Sequence, residues 1–450
     1  MSSQVKNMTS GKPAGLILSF ALPLMAGNIF QQLYTVVDTM VVGKFLGVNA
    51  LAALGAAEWL NWMMIGIIQG FTQGFAIKIA QEFGAENYRQ LKKVIGNSAI
   101  LSIIFSIVLI IAGLLSARPI LELMQTPDNI ITDSLLYIRL LFAGIPIVMF
   151  YNLLACILRS LGDSKTPLRA MIIASIINIV LDVLFVFVFK WGIAGAAIAT
   201  LIAQAVSGLY CLYYIQKIEI LSLCKSDFIP EGALTGKLLL LGLPMAFQNA
   251  IIAAGGMILQ FVVNGYGVVF IAGMTATNKL YGILEIAATS YGYAVVTYVG
   301  QNLGAGKSKR ILKGVKASLG IGTITSVIIT ITMILLGKII LGLFISGTPQ
   351  EVNDAMEIAY RYLYVMSIYL PILYVLHIIR AAIQGMGNTF LPMLSGIAEL
   401  VMRTGGALFL PVFFGKTGIY YAEVLAWLGA DVVLVISYLY LIRKLPKEIP

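Results

Sequence analysis

Long apolar stretches separated by short polar segments run through the whole chain. Twelve of them are long enough to cross a bilayer as helices, which takes roughly 20 residues each. They lie at about 14–43, 50–80, 94–116, 134–158, 167–189, 192–216, 237–263, 268–299, 315–345, 355–382, 389–414 and 418–443. The pattern therefore predicts an all-α integral membrane protein with twelve transmembrane helices.

The second half of the chain repeats the first. Five short matches occur in the same order, at an offset that drifts only from about 220 to 226 residues. They pair 22–23 with 243–244, 81–94 with 301–315, 145–146 with 370–371, 158–167 with 383–392 and 192–193 with 418–419. Because each half has an even number of helices, both enter the membrane in the same sense, as in the parallel repeats of transporters. We expect two pseudo-symmetric six-helix lobes, at 1–220 and 237–450, joined by a cytoplasmic linker at 221–236.

Composition supports this architecture. Of the 450 residues 59% are hydrophobic and only 11% are charged, with a mean hydropathy of +0.93, whereas a soluble protein carries about 25% charged residues. The 30 Lys and Arg residues exceed the 20 Asp and Glu residues, which gives a net charge of +10. The basic residues concentrate in alternate loops, at 89–93, 165–169, 217–237, 307–316 and 443–447. This is the positive-inside pattern. It predicts a plasma (inner) membrane protein with both termini cytoplasmic, and it makes the basic charge a topology signal rather than a nucleic-acid surface.

Motifs for catalysis are absent from the sequence. There is no GxxxxGK[ST], no HExxH and no Ser/His/Asp set, and the three cysteines and single histidine form no ligand cluster. A structural metal and a disulfide framework are therefore not expected. We predict a protein that is not an enzyme, needs no cofactor and is driven by an ion gradient or by partners.

The first span contains a carboxylate, Asp38. Gln31, Tyr34 and Asp38 are three and four residues apart, so they project from one helix face. A carboxylate at mid-membrane costs about 2.5–3.5 kcal/mol on insertion scales. We expect such a group to face a protein cavity and to be used there, with a purely structural pairing as the alternative.

The fifth span carries a second carboxylate. Asn178 and Asp182 are four residues apart on one face, and Thr200 and Asn152 on neighbouring spans can add oxygens. Two carboxylates with amide and hydroxyl oxygens suit a hard cation such as Na⁺, and the same acids can hold a proton, because two close carboxylates cannot both ionise cheaply. Hydrogen bonding between helices is the alternative role for Asn178 and Thr200.

The second half offers weaker candidates. Glu399 and Arg403 are four residues apart and can neutralise each other. Glu285 lies deep in the eighth span, and His377 lies near a predicted helix end, which favours an interfacial position over a proton relay. Tyr34 and Tyr137 are aromatic groups able to stack on an aromatic or cationic solute.

With these motifs the chain resembles the multidrug and toxic-compound extrusion (MATE) family along essentially its whole length. The most specific matches are QQLYTVVDTMVVG at 31–43 and NIVLD at 178–182, followed by the Q-x-x-G-A segments at 81–85 and 301–305. The sequence is similar to the prokaryotic DNA-damage-inducible branch. In that branch a proton- or sodium-linked site lies in the N-terminal lobe.

The resemblance assigns roles to individual residues. It implies an ion-coupling site at Asp38, Asn178, Asp182 and Thr200. It implies a neighbouring substrate cavity at Gln31, Tyr34, Tyr137 and Asn152. Pro23 matches a proline at which the first helix bends in some members. No acid stands in the seventh span or in the middle of the tenth, so a C-terminal sodium site is not expected; Glu285, His377, Glu399 and Arg403 are secondary candidates.

Our hypothesis is an H⁺- or Na⁺-coupled antiporter that exports amphipathic or cationic compounds by alternating access and works as a monomer among membrane lipids. The first alternative is a flippase for lipid-linked precursors or polysaccharide of the same broad fold. It needs cavity cations to hold pyrophosphate, and Arg139, Arg159 and Arg403 are the candidates. A non-transporting scaffold or sensor is the second alternative.

Overall fold

The computed structural model describes residues 5–124, 126–345 and 348–445; Lys447 and the extreme termini lie outside the described residues. Within these ranges the chain forms fourteen α-helices and no strand. They are α1 (Pro13–Leu46), α2 (Val48–Gly84), α3 (Tyr88–Leu123), α4 (Asp128–Ala143), α5 (Ile145–Ser160), α6 (Lys165–Asp182), α7 (Ile193–Gln216), α8 (Gly232–Asn264), α9 (Val268–Gly304), α10 (Ser308–Leu341), α11 (Pro349–Ile368), α12 (Leu370–Gly385), α13 (Phe390–Phe414) and α14 (Ala422–Ile442).

These helices account for the twelve predicted spans. Eight stretches are long and apolar enough to cross a membrane, and two bent pairs, α4 with α5 and α11 with α12, pass the same test together. One of the eight stretches, Phe390–Ile442, has 53 residues. That is far longer than a bilayer requires, and it contains the separate helices α13 and α14. The remaining predicted span, at 268–299, falls on α9, which carries Lys279 and Glu285 and is not among the stretches that pass this test.

Two of the spans are broken where the sequence pattern predicts continuous helices. α4 and α5 meet at an angle of 48°, and α11 and α12 meet at 50°. The breaks precede Pro146 and Pro371, each of which lies in the first turn of the second helix. Proline lacks a backbone N–H and fits the first turn of a helix better than its interior. Pro23, in contrast, lies inside a helix that continues from Pro13 to Leu46.

The described contacts divide the chain into two compact units. The first consists of Met1–Ser10 and Leu22–Ala250, and the second of Gly11–Ala21 and Ile251–Pro450. In the first unit, buried side chains of α2, α3, α4, α5 and α7 form two apolar clusters. In the second unit, α9 packs on α10, α11 and α12, and α13 packs on α14. The division of the sequence at 221–236 stays a prediction.

In the first unit, α2 and the beginning of α8 are in backbone contact. A Cβ on Gly70 would lie 2.5 Å from Cα of Ala246, and one on Gly74 would lie 2.4 Å from Cα of Gly242. One turn of α2 earlier, Nδ2 of Asn249 donates to the carbonyl oxygen of Gly66 at 2.8 Å. Small residues at four-residue spacing let helices approach this closely in membranes.

The segment that connects α7 to α8 is bound to α3. Nδ2 of Asn97 donates to the carbonyl of Ile229, and its Oδ1 accepts from the backbone N–H of Glu231 at 3.0 Å. Lys93 forms an ion pair with Glu231. A Cβ on Gly96 would lie 2.1 Å from the carbonyl oxygen of Asp227. These contacts fix the position of the segment on the first unit.

The close approach of α2 and α8 predicts unequal effects of one substitution at two glycines. Gly74→Ala should destabilise the protein by about 1–3 kcal/mol, because the new methyl group overlaps the backbone of α8. Gly55→Ala on the same helix meets nothing within 4 Å and should be neutral or stabilising by up to about 1 kcal/mol. Thermal unfolding of the two purified variants checks this, and equal melting temperatures would contradict the contact.

Candidate functional site

Three helices of the first unit bring the predicted ion-coupling residues together. α1 supplies Asp38, α6 supplies Asn178 and Asp182, and α7 supplies Thr200. Tyr34, predicted to line the substrate cavity, lies one turn before Asp38 on α1. Tyr34, Asn178 and Thr200 line one small cavity of about 10 Å³, which is roughly the space that a single water molecule needs. Its other lining residues are Met171, Ala174, Ala203, Gln204 and Ser207.

The two carboxylates lie near each other beside this cavity. Asp38 interacts electrostatically with Asp182, and both lie within electrostatic range of the phenol groups of Tyr34 and Tyr137. Asp182 is the last residue of α6, and the chain continues as one π-helical segment, Val183–Val188. Such π-turns are rare and occur often at functional sites.

Several buried oxygens of this group have no hydrogen-bond partner among the described residues. They are Oδ1 of Asp38, Oδ1 of Asn178, both carboxylate oxygens of Asp182 and Oε1 of Gln204. Asp182 is fully buried, and Asp38 is 7% exposed. A buried acceptor without a donor is costly. The group can lower that cost by taking up a proton or a small cation.

Of the other residues predicted to line the substrate cavity, Gln31 and Tyr137 lie near Tyr34 and the two acids, whereas Asn152 does not line the cavity. Gln31 lies beside Tyr34 on α1, and Tyr137 of α4 is buried near the two acids. Asn152 uses its Nδ2 atom to donate to the carbonyl of Val148 on its own helix, at 2.8 Å, and it is absent from the cavity lining. Gln204 faces Tyr34 but is not among the predicted site residues. Its position one helical turn after Thr200 is the sequence signal that could have identified it.

No ion pair joins either acid to a lysine or arginine within the part of the chain that the structure describes. The described residues also contain no group of three or more His, Cys, Asp or Glu side chains suited to a metal. The site consists of a pair of acids with amide and hydroxyl oxygens beside them.

In the second unit, the buried acids Glu399 and Glu423 form ion pairs with arginines. Oε1 of Glu399 lies 2.9 Å from Nη2 of Arg403, the pair that the four-residue spacing predicts. Oε2 of Glu399 lies 2.8 Å from Nη2 of Arg380. Arg403 also reaches Oε2 of Glu423 at 2.9 Å. Arg380 and Glu423 were not predicted as partners, because they come from α12 and α14 and no sequence spacing connects them to α13.

Glu285 and His377, the remaining secondary candidates, contact each other. Nε2 of His377 lies 3.3 Å from Oε1 of Glu285. His377 follows Pro371 on α12 and therefore lies within the second half of a bent span, where its ring contacts Glu285 of α9. The sequence could not show this pairing, because the two residues are on different helices.

The ion-pair network predicts a marked loss of stability for Glu399→Gln. Removing one partner from a buried pair leaves the other charge uncompensated, which costs about 3–5 kcal/mol. Glu357→Gln is the matched control in the same unit, because Glu357 and Arg361 form an exposed pair with side chains 62% and 59% exposed, and such pairs contribute about 0–1 kcal/mol. Thermal unfolding in detergent measures both, and similar melting temperatures would contradict the role of the network.

Comparison with known proteins identifies the family. The MatE profile matches the chain twice, over residues 23–184 and 244–407. The probable multidrug resistance protein YpnP of Bacillus subtilis is 29% identical over 414 residues, which cover 92% of each chain. The probable multidrug resistance protein YoeA of the same organism is 31% identical over 352 residues, covering 76% of this chain and 75% of YoeA.

Solved structures show the same fold. An outward-facing multidrug resistance MATE family transporter of the MOP superfamily superposes with a TM-score of 0.90 at 23% identity, over 99% of both chains. A MOP superfamily transporter from Pyrococcus furiosus superposes with a TM-score of 0.91 at 23% identity over the full length of both chains. The two-lobed helical fold predicted from the sequence is therefore confirmed. The chain belongs to the MatE family of multi-pass membrane transporters, and it is not an enzyme.

Proposed function

We propose that this transporter exports amphipathic, cationic organic compounds in exchange for H⁺ or Na⁺, and that Asp38 and Asp182 carry the coupling ion. The relatives are named as multidrug resistance and multidrug export proteins, which supports the substrate class. We further propose that the transporter works as a monomer in the plasma membrane with both termini in the cytoplasm. The distribution of basic loops supports that orientation.

The observation that carries the proposal is the contrast between the two units. Both carboxylate oxygens of Asp182 and one of Asp38 are buried without a partner in the first unit. In the second unit, Glu399 is held between two arginines, and a single carboxylate oxygen, Oδ1 of Asp431, is buried without a partner among the described residues. A carboxylate with a fixed cation beside it has little to gain from a mobile ion, whereas an unpaired one has much to gain. The first unit therefore has the groups that can exchange an ion.

Ion exchange and substrate release follow from the same electrostatics. With the acids ionised, the cavity beside Tyr34 attracts a positively charged solute. Uptake of H⁺ or Na⁺ by Asp38 and Asp182 removes that attraction, which is strong because the surroundings have a low dielectric constant. The loaded site therefore binds the substrate more weakly. Different affinities in the two states are what allow an ion to drive a conformational cycle.

The oxygen atoms of this site are chemically suited to either coupling ion. Asp38, Asp182, Asn178 and Thr200 offer carboxylate, amide and hydroxyl oxygens, which suit a hard cation such as Na⁺. The same two acids, being close together, share a single proton more easily than they both ionise. Transport under separately imposed gradients of the two ions distinguishes these chemistries.

The arrangement of arginines does not favour a flippase for pyrophosphate-linked lipids. Arg403 is neutralised by Glu399 and Glu423, and Nη2 of Arg159 contacts Sγ of Cys156 at 2.9 Å. Arg139 is exposed on α4. The arginines that could bind a pyrophosphate group thus either contact other side chains or lie exposed, apart from the others.

We expect Asp38→Asn and Asp182→Asn each to reduce gradient-driven export by about tenfold or more, equivalent to about 1.4 kcal/mol. The amide keeps the shape of the side chain but cannot take up an ion as a carboxylate does. Efflux of ethidium from proteoliposomes, with a pH gradient or a sodium gradient imposed separately, measures the effect.

Asp133→Asn is the matched control, because Asp133 is exposed on α4 of the same unit and should leave export unchanged. Melting temperatures and reconstitution yields equal to those of the wild type show that the variants are folded and inserted. If Asp38→Asn exported ethidium as fast as the wild type under both gradients, the coupling role of Asp38 would be overturned.

A further inference from the structure

A second cavity of the first unit lies where the end of α2, the beginning of α3 and the beginning of α8 meet. Its volume is about 300 Å³, at the lower end of the range of about 300–1,000 Å³ that is usual for small-molecule sites. Its polar lining residues are Lys78, Glu82, Gln90, Glu231 and Lys237. Neither Asp38 nor Asp182 lines this cavity, so ion coupling does not explain it.

The lining of this cavity carries two positive and two negative side chains. Lys78 forms an ion pair with Glu82 on α2, while Glu231 and Lys237 come from the beginning of α8. A simple anion attracted by the lysines is repelled by the two carboxylates, and a simple cation is repelled by the lysines. A ligand with one group of each sign complements the lining better than either. The cavity therefore favours a zwitterionic group.

Three polar groups of the lining are available to such a ligand. Glu231 uses Oε1 to bind Lys93, and its backbone N–H donates to Oδ1 of Asn97 at 3.0 Å, which fixes its position. Its Oε2 atom, Nζ of Lys237 and the side-chain amide of Gln90 have no partner among the described residues. The Glu231 side chain is 42% exposed, so a ligand can reach it. An anionic acceptor and a cationic donor thus line the same cavity.

An exposed apolar face of α8 begins at this cavity. Leu240, Leu243 and Phe247 follow Lys237 at intervals of three, three and four residues, which puts them on one side of the helix. Their exposed fractions are 73%, 37% and 59%. They belong to the stretch Gly232–Asn264, which is long and apolar enough to cross a membrane. A polar cavity that continues into an exposed apolar face matches the headgroup and acyl chains of a lipid better than it matches a soluble zwitterion.

We propose that this cavity binds the headgroup of a phospholipid that carries a primary ammonium group, as phosphatidylethanolamine does, with its acyl chains along the exposed face of α8. The phosphate accepts hydrogen bonds from Lys237 and Gln90, and the ammonium donates to Oε2 of Glu231. The basic loops at 89–93 and 217–237, which contribute to the cavity, are predicted to be cytoplasmic, and lysines at that membrane surface attract lipid phosphates. The site is independent of the acids proposed for ion coupling.

The ammonium group distinguishes this lipid from two others of similar size. Phosphatidylcholine has the same charges, but its methyl groups replace the N–H donors that Glu231 requires. Phosphatidylglycerol has the phosphate and no cation, so Glu231 repels it. Because a hydrogen bond between two charged groups is stronger than a neutral one, we expect phosphatidylethanolamine to bind most tightly and phosphatidylglycerol least tightly.

Native mass spectrometry of the purified protein tests this ranking with the three lipids mixed in equal amounts and carrying identical acyl chains. We expect the first bound lipid to be phosphatidylethanolamine, with an affinity about tenfold above that of phosphatidylcholine, equivalent to about 1.4 kcal/mol. Glu231→Gln should lose this preference, because the amide carries no charge to pair with the ammonium. Lys237→Gln should weaken the binding of all three lipids and retain the preference.

Glu219→Gln and Lys225→Gln are the matched controls. Both residues are exposed on the segment that connects α7 to α8, and neither lines the cavity, so both variants should bind the lipids as the wild type does. A wild type without preference for phosphatidylethanolamine, or a preference that survives in Glu231→Gln, would overturn the proposal. Equal losses in Glu219→Gln and Glu231→Gln would do the same.

Free O-phosphoethanolamine separates a lipid site from a site for a soluble ligand. It has the same phosphate and ammonium groups but no acyl chains to lie along α8. We expect it not to displace the bound lipid when both are present at the same concentration. Displacement at equal concentration would show that the headgroup alone accounts for binding, and would overturn the assignment to a lipid. None of these measurements uses an ion gradient or an exported compound, so the lipid site and the proposed transport function can fail separately.

Discussion

A buried carboxylate that has no cation beside it is the feature on which the rest of this structure depends. Its burial in a membrane costs several kcal/mol, and the protein can offset that cost with a fixed ion pair or with a mobile ion. The first unit leaves Asp182 with two unpartnered oxygens and Asp38 with one. The fold surrounds them with α1, α6 and α7, of which α6 ends at Asp182 in a π-helical segment. The chemistry of the site is therefore the chemistry of an incompletely satisfied pair of acids.

The second unit shows the other solution to the same problem. Arg380, Glu399, Arg403 and Glu423 form a connected chain of ion pairs across α12, α13 and α14, which balances its charges internally and holds three helices together. Glu285 stands outside this chain of ion pairs and contacts His377 of α12. The first unit thus contains a pair of acids without a fixed cation, whereas the second builds most of its buried acids into a network of ion pairs.

Much of this could be predicted from the sequence, and the exceptions have physical reasons. Hydropathy predicted the twelve spans, because a bilayer demands long apolar helices whatever their packing. The spacing of Gln31, Tyr34 and Asp38, and of Asn178 and Asp182, predicted which side chains share a face, because that depends on helix geometry alone. The contacts of Glu399 with Arg380, of Arg403 with Glu423 and of Glu285 with His377 join different helices, so no local spacing reveals them. The breaks before Pro146 and Pro371 could have been found, since both prolines were visible in the repeat.

The central claim is that substrate and coupling ion compete through Asp38 and Asp182, and counting ions released on substrate binding tests it most directly. Purified protein in weakly buffered, mildly alkaline solution is mixed with tetraphenylphosphonium. A pH indicator and ²²Na⁺ report the released ion. The account predicts release of H⁺ or Na⁺ by the wild type and its loss in the double variant Asp38→Asn, Asp182→Asn. Substrate binding that releases neither ion, or undiminished release from the double variant, would contradict it.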